Sequence, residues 1–200
     1  LILAQSKSMT IKIKKDIKGL KVKTLYSWSE DYFVKQKNLR KRNKKNFKII
    51  FSGNIGEAQN LINLIKVIKI TTNFKNNIQW IFVGDGSKRH WLINEIKFLK
   101  IEKNFKFYNF RPTRMIPHIY KKADAGLISL KKGLTFKNTL PAKFQSYLAF
   151  GLPIFSFASG ETYNLTKEYK LGLYCEPNNP KKFAYQISKF SKFSKKQINK

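Results

Sequence analysis

Continuous apolar runs alternate with helical stretches along most of this chain. Two of the runs, Phe47–Ser52 and Ile78–Val83, consist mainly of β-branched and aromatic residues. Such runs are typical of strands buried on both faces of a parallel sheet. Shorter runs of the same kind follow at residues 104–109, 125–130, 153–157 and 172–175. Helices are predicted between the strands, at residues 57–70, 87–99, 116–122, 139–150, 161–169 and 180–190. The alternation predicts an α/β fold in which helices cover both faces of a parallel sheet.

The first 46 residues have a less regular pattern. Short strand-like pieces at Leu1–Gln5 and Val22–Leu25 flank a helical stretch at residues 6–18, and a basic linker follows. The length of the chain allows one full α/β domain with residues to spare. We therefore divide the chain into three parts: residues 1–46, a domain at residues 47–190, and a basic tail at residues 191–200. Because the chain begins without Met, we interpret the first part as the remnant of an amino-terminal domain of a longer protein.

Two predicted strands end in glycine-containing turns, Gly53–Gly56 and Gly84–Gly86. Neither turn matches the G-x-G-x-x-G pattern, and either one alone is also typical of ordinary chain reversal. Ligands of parallel sheets bind at the carboxyl ends of the strands, which is where these turns fall. The two turns together therefore favour a ligand site at this edge of the sheet.

The segment from residue 138 to residue 153 carries the clearest chemical signal. Pro141 suits the start of a helix that ends at Gly151, and Thr139 is a candidate cap just before it. Lys143 then lies in the first turn, where free backbone N–H groups and the positive end of the helix dipole favour anions. This combination predicts a site for an anion such as a diphosphate. The alternative is a capped helix with a solvated lysine.

Composition limits the classes of protein that fit. A hydrophobic content of 42% is enough for a folded core. The chain contains no run of about 18 apolar residues, so no membrane-spanning helix is predicted. The single cysteine, Cys175, excludes an internal disulfide framework and fits a cytoplasmic, reducing compartment. Two histidines, His90 and His118, without a cysteine cluster predict no metal site.

Positive charge is the second strong feature of the chain. There are 41 Lys and Arg residues against 11 Asp and Glu, a net charge of +30. Residues 37–48 contain seven basic residues and no acidic residue. Residues 181–200 also contain seven basic residues and no acidic residue. Such segments attract nucleic acid or an anionic membrane surface, and the second partner would bring the chain to the inner face of the cytoplasmic membrane. The alternative is a coding bias toward lysine in AT-rich DNA. No nucleic-acid-binding signature accompanies the charge, so nucleic acid is not the expected partner.

The order of the motifs resembles a known family. Its members are retaining nucleotide-sugar glycosyltransferases with the GT-B fold, of the glycosyl transferases group 1 or family 4 type, and the likeness is to their carboxy-terminal donor-binding domain. The matching segments are Tyr26–Glu30, Phe51–Gly56, Trp80–Gly86, Ile119–Asp124, Leu140–Pro153, Ser159–Thr162 and Leu171–Leu173. The pattern Pro-x-Lys-x-Gln-x-Tyr-Leu-Ala is similar to a subgroup that acts in polysaccharide, O-antigen or colanic-acid assembly. The resemblance implies a Rossmann-like sheet that forms the carboxy-terminal half of a GT-B fold.

The resemblance also implies a reaction. A sugar would pass from a nucleoside-diphosphate sugar, UDP-linked, to a glycan or lipid-linked acceptor in cell-surface polysaccharide synthesis. The donor is a substrate, and neither a cofactor nor a metal is expected. Negative charge builds up on the departing nucleoside diphosphate, and preorganised dipoles and cations stabilise it. The expected partners are the nucleotide-sugar, the acceptor and an anionic membrane surface.

Lys143 is the expected catalytic residue, because it can stabilise that charge. The predicted donor-binding residues are Gly53, Asn54, Gly56, Arg111, Thr139, Ser146 and Glu161. Arg111 would contact the base or a phosphate, or would be a solvated loop residue. Glu161 would accept hydrogen bonds from ribose or sugar hydroxyls, or would be a surface glutamate that caps the next helix.

The chain also departs from the family pattern. Many members carry two glutamates eight residues apart, and those positions fall here on Asn138 and Ser146. The usual Lys-Gly after the first glycine turn is replaced by Gln59-Asn60. A catalytically impaired or truncated scaffold of the same fold is therefore the alternative function, with a basic nucleic-acid-binding module as the other.

Overall fold

The computed structural model describes residues 1–35, 46–74 and 77–193. Most of the predicted basic linker, at residues 36–45, and the basic tail beyond residue 193 lie outside these ranges. The first part of the chain contains β1 (Ile2–Ala4), α1 (Lys7–Asp16), β2 (Val22–Thr24) and α2 (Asp31–Lys35). β1 and β2 pair in parallel, with Ile2 opposite Val22. Both predicted strands and the predicted helix of this part are confirmed.

The later strands form one six-stranded parallel sheet. They are β3 (Phe47–Ser52), β4 (Ile78–Val83), β5 (Phe105–Tyr108), β6 (Ala125–Ser129), β7 (Ile154–Phe157) and β8 (Gly172–Cys175). Their spatial order is β5-β4-β3-β6-β7-β8, which is the order of a doubly wound nucleotide-binding sheet. The predicted α/β class and the Rossmann-like parallel sheet are confirmed, and β3 and β4 have the predicted bounds.

Helices follow the strands as the alternation predicts. They are α3 (Leu61–Thr72), α4 (Arg89–Phe98), α5 (Ile116–Tyr120), α6 (Leu134–Lys137), α7 (Ala142–Phe150), α8 (Glu161–Glu168) and α9 (Pro180–Ser191). The sequence pattern did not predict α2 and α6, which have five and four residues. Within the described ranges, no helix is long and apolar enough to cross a membrane.

The start of α3 differs from the prediction. The expected helix at residues 57–70 is divided into a 3₁₀ turn at Glu57–Gln59 and α3 proper. Asn60 separates them, because its backbone has the left-handed angles φ 48° and ψ 40°. The Asn60 side chain donates a hydrogen bond from Nδ2 to the Pro177 carbonyl oxygen at 2.8 Å, which fixes this break in the helix.

Two hydrophobic cores lie on the two faces of the sheet. On one face, Ile49 and Phe51 of β3 belong to a core with residues of α3, α4 and α9. On the other face, Ile50 of β3 belongs to a core with residues of α5 and α7. Successive residues of a strand point to opposite faces, so β3 contributes to both cores. Helices therefore cover both faces, as predicted.

Tyr147 fixes α7 against the sheet. Its hydroxyl accepts a hydrogen bond from the Ser52 N–H at 3.1 Å and donates to the Ile50 carbonyl oxygen at 3.1 Å. Its ring lies directly over Gly126 of β6, where an added Cβ would come within 2.4 Å of the ring. Lys143 precedes Tyr147 by four residues and so lies on the same side of α7. The packing of Tyr147 thereby directs Lys143 toward the carboxyl end of β3.

Candidate functional site

A cavity of about 720 Å³ opens at the carboxyl edge of the large sheet. Its walls come from the ends of β3 and β4, the loop after β5, the first turn of α7 and the segment after β2. The lining residues that matter most below are Trp28, Glu30, Gly53, Phe110, Arg111 and Lys143. β3 and β6 are neighbours at the point where the strand order reverses, and ligands of such sheets bind beside that point.

Lys143 is a buried cation in the wall of this cavity. Part of the residue is exposed, but its Nζ atom is shielded from water and makes no hydrogen bond within the described part of the chain. The Nζ atom lies 3.7 Å from the centroid of the Phe51 ring. Burial lowers the pKa of Lys143 to about 7. An ammonium held this way gains from any anion that enters the cavity.

The glycine turns leave room beside this lysine. Gly53 has φ +121°, and an added Cβ there would lie 3.4 Å from Lys143 Nζ. Gly84 has φ +132°, and an added Cβ there would come within 2.1 Å of the Gly53 carbonyl oxygen. Only glycine adopts such angles readily and allows so close an approach. The two turns therefore pack against each other, and together they form the floor of the cavity.

Backbone donors converge on the same point. The helix itself does not use the N–H groups of Ala142 and Lys143, because they lie in its first turn. The N–H of Gly53 already donates to the Val83 carbonyl oxygen at 2.9 Å. Donation from the first glycine turn to a ligand would therefore come from Asn54, which lines the cavity. The start of α7 contributes the positive end of its dipole as well.

The structure brings five of the eight predicted site residues together. These are Gly53, Asn54, Arg111, Lys143 and Ser146, all in the wall of the cavity. Within α7, the Ser146 hydroxyl also donates to the Ala142 carbonyl oxygen at 3.3 Å. Their roles toward a donor stay predictions.

Two of the other predicted residues lie outside that wall. Gly56 borders a smaller cavity of about 120 Å³ with Glu57 and Lys88. The predicted cap by Thr139 is wrong, because α7 begins at Ala142 with Pro141 in the cap position. The Thr139 hydroxyl instead donates to the Thr135 carbonyl oxygen at 2.7 Å.

Glu161, the remaining predicted residue, is buried at the start of α8, with 3% of its surface exposed. It does not line the cavity. Its carboxylate accepts hydrogen bonds from Lys7, Ser8 and Tyr26 of the first part of the chain. The interpretation of Glu161 as a surface residue that caps the next helix is therefore wrong. Its predicted binding of ribose or sugar hydroxyls stays a prediction.

Sequence reasoning missed several side chains in the cavity wall, among them Trp28, Glu30 and Phe110. Trp28 and Phe110 are 82% and 71% exposed, which is unusual for large aromatic residues and leaves their rings open to a ligand. Glu30 adds a carboxylate to the same wall. The motif that contains Trp28 and Glu30 was recognised only as a family resemblance, since nothing in the local sequence indicates that it reaches the carboxyl edge of the sheet.

Comparison with known protein families adds an independent finding. The family described as "Glycosyl transferases group 1" matches residues 34–199, which is most of the chain. The chain belongs to this family. A comparison with curated protein sequences found no significant match.

Solved structures share the fold of this group 1 glycosyl transferase domain. WaaG, described as a glycosyltransferase involved in lipopolysaccharide biosynthesis, has a TM-score of 0.76 at 14% identity, over 98% of this chain and 55% of WaaG. Anabaena HepE in complex with UDP and glucose has a TM-score of 0.73 at 18% identity, over 99% of this chain and 55% of HepE. A TarM variant from S. aureus, in complex with fondaparinux, alpha-GlcNAc-glycerol and UDP, has a TM-score of 0.71 at 12% identity, over 96% of this chain and 36% of TarM.

At these identities the likeness shows the fold alone. The predicted fold class, a Rossmann-like half of a GT-B fold, is confirmed. The chain spans about half the length of WaaG and HepE, and about a third of TarM.

Proposed function

We propose that this chain supplies the donor-binding half of a retaining glycosyltransferase. The enzyme would transfer a sugar from a UDP-linked donor to a glycan or lipid-linked acceptor in cell-surface polysaccharide synthesis. The observation that carries the proposal is the buried Lys143 ammonium at the start of α7, in the wall of the large cavity, for which no described residue is a hydrogen-bond partner.

A diphosphate would supply hydrogen-bond acceptors and negative charge to the Lys143 ammonium. The flexible stem of Lys143 can turn Nζ from the Phe51 ring toward a phosphate oxygen, and the free N–H groups at the start of α7 can bind a second oxygen. When the sugar–phosphate bond breaks, negative charge grows on the departing diphosphate. A fixed cation and a helix dipole stabilise that charge, because they face it before the reaction starts.

The rest of the cavity has the dimensions and side chains for a nucleotide-sugar. A volume of about 720 Å³ falls in the usual range of ligand pockets, roughly 300–1,000 Å³. The exposed Phe110 ring offers a stacking surface for a base, and Arg111 beside it offers hydrogen bonds to the base or to a phosphate. HepE and TarM, which share the fold, are described in complexes with UDP, and this favours UDP as the nucleotide.

The acceptor and the membrane association are argued from charge. The strongly basic segments at residues 37–48 and 181–200 would attract anionic headgroups or a lipid-linked pyrophosphate. We therefore place the enzyme on the inner face of the cytoplasmic membrane, as a peripheral protein. The retaining outcome is proposed on the family resemblance.

Calorimetric titration with UDP, GDP and ADP at moderate salt tests the donor site. We expect UDP to bind best, and we expect Lys143→Ala to weaken binding by about tenfold or more, because a charge-assisted hydrogen bond contributes about 1.5–3 kcal/mol. Lys97→Ala is the matched control, since Lys97 is an exposed lysine of α4 outside the cavity. Equal binding of all three nucleotides that salt abolishes and that ignores Lys143 would contradict the proposal and favour a nonspecific basic surface.

A further inference from the structure

Glu161 joins two parts of the chain that are far apart in sequence. Its Oε1 accepts hydrogen bonds from the Lys7 N–H at 3.0 Å and from the Tyr26 hydroxyl at 2.6 Å. Its Oε2 accepts from the Ser8 N–H at 3.1 Å and from the Ser8 hydroxyl. Four donors from residues 7–26 thus meet one buried carboxylate at the start of α8. We call this arrangement the Glu161 clamp.

The clamp supplies the acidic group that the first turn of α1 lacks. The first turn of α1 contains no Asp or Glu. The Ser6 side chain caps the Met9 N–H at 3.0 Å, which leaves the N–H groups of Lys7 and Ser8 for an outside acceptor. Glu161 supplies that acceptor together with a negative charge at the positive end of the helix. A carboxylate from another part of the chain therefore holds α1 by its amino-terminal end.

The titration of Glu161 and Tyr26 agrees with this geometry. Burial alone would raise the pKa of Glu161, but the hydrogen bonds from Ser8, Tyr26 and Lys7 outweigh it and hold that pKa below its usual value. Burial, together with the hydrogen bond to the Glu161 carboxylate and its charge, raises the pKa of Tyr26 to about 12. Glu161 is therefore charged and Tyr26 is neutral at physiological pH.

A second contact ties the same end of α1 to the loop before α7. The Ser6 hydroxyl donates to the Asn138 carbonyl oxygen at 2.5 Å. Gly160, just before α8, lies so close to the end of α6 that an added Cβ would come within 2.0 Å of the Lys137 carbonyl oxygen. The starts of α1 and α8 therefore both pack on the segment that leads into the Lys143 helix.

Tyr26 connects the clamp to the cavity. It precedes Trp28 by two residues and Glu30 by four, and both of those line the cavity. The Tyr26 hydroxyl lies 2.6 Å from Glu161, and the short segment that follows brings Trp28 and Glu30 to the cavity wall. Trp28 itself is 82% exposed, so little packing of its own holds it there.

We propose that Glu161 is a positioning residue, which acts through Tyr26 to hold Trp28 and Glu30 against the donor in the cavity. This inference rests on the proposed function, because it takes the occupant of the cavity to be a nucleotide-sugar. It differs from the prediction that Glu161 itself contacts donor hydroxyls.

Three variants test the inference by calorimetry with UDP-glucose. Glu161→Gln replaces one acceptor oxygen by a donor, Tyr26→Phe removes one donor to the clamp, and the double variant measures their coupling. If loosening the clamp leaves the segment correctly placed for a tenth to a fifth of the time, binding weakens by about five- to tenfold. Glu168→Gln, an exposed acid at the end of α8, is the matched control and should bind as the unaltered chain does.

The outcomes separate the explanations. The inference requires that both single variants weaken binding and that the double variant is no weaker than the worse single one. Weaker binding in Glu161→Gln with unaltered binding in Tyr26→Phe would overturn it in favour of direct donor contact. Unaltered binding in both would overturn it in favour of a purely structural clamp.

A ligand-free measurement keeps the inference testable if the donor site itself fails. Amide hydrogen exchange of the free chain should speed up at residues 7–8 and 26–30 in Glu161→Gln, and stay unaltered in Glu168→Gln. Absence of UDP-glucose binding in the unaltered chain would refute the proposed function and, with it, a role of the clamp toward a donor. Unaltered exchange at residues 26–30 would refute the positioning step alone.

Discussion

Donor binding should be coupled to the uptake of a proton by Lys143. The pKa of this lysine is about 7 in the free protein, because burial disfavours its charged form. A diphosphate that contacts Nζ favours the charged form and raises that pKa again. The free protein must therefore gain a proton at Lys143 whenever the donor binds above neutral pH.

The size of the effect follows from the pKa. A lysine with a pKa of about 7 is about three-quarters charged at pH 6.5 and about one-thirtieth charged at pH 8.5. If only the charged form binds the diphosphate well, affinity falls by about 25-fold between these two pH values. At pH 8 the bound complex should contain about 0.9 more protons than the free protein and free donor together.

Calorimetry of UDP-glucose binding measures both quantities. The diphosphate of UDP-glucose carries both its charges throughout this range, so the donor adds no titration of its own. Titration in buffers of different ionisation enthalpy gives the number of protons taken up, and the pH series gives the loss of affinity. Lys143→Met keeps the length of the side chain without the charge and should bind weakly and equally at both pH values. Equal affinity of the unaltered chain at pH 6.5 and 8.5, with no proton uptake, would refute the reasoning.

Three further predictions concern packing and reactivity. Gly126→Ala should lower the free energy of unfolding in urea by about 1–3 kcal/mol, because the added Cβ would lie 2.4 Å from the Tyr147 ring. Gly133→Ala should lower it much less, because the added Cβ would lie 3.4 Å from its nearest neighbour. Tyr147→Phe should lower the free energy of unfolding by about 1–3 kcal/mol in the same assay, because it removes the acceptor of a buried N–H of β3. Tyr185→Phe on the surface of α9 should have little effect, and equal losses in the two variants would contradict the role of the Tyr147 hydroxyl. Cys175 should react with a thiol reagent only after unfolding, because it is 2% exposed and burial raises the pKa of its thiol; rapid reaction of the folded chain would contradict its placement.

The sheet was predictable from sequence to the residue in places. β3 and β4 have the predicted bounds because they are buried on both faces, so their apolar runs stop where the strands stop. The break before α3 was not predictable, because it depends on the left-handed backbone of Asn60 and on a hydrogen bond to Pro177, which is distant in sequence. Local patterns carry no information about such contacts.

Some residues of the candidate site could be predicted from sequence, and others could not. Lys143 could be found from sequence, because Pro141 indicates the start of α7 and Gly151 its end, which puts Lys143 in the first turn. The surroundings of Glu161 could not, because its partners Lys7, Ser8 and Tyr26 lie between 135 and 154 residues away. The same holds for Trp28, which reaches the cavity only through the folding of the first part of the chain onto the sheet.

The most direct test of the donor site is a crystal structure of this chain with UDP bound. We expect the diphosphate at the start of α7, with a phosphate oxygen within hydrogen-bond distance of Lys143 Nζ and the base beside Phe110 and Arg111. UDP bound away from the cavity, or a cavity that stays empty at saturating UDP, would contradict the account.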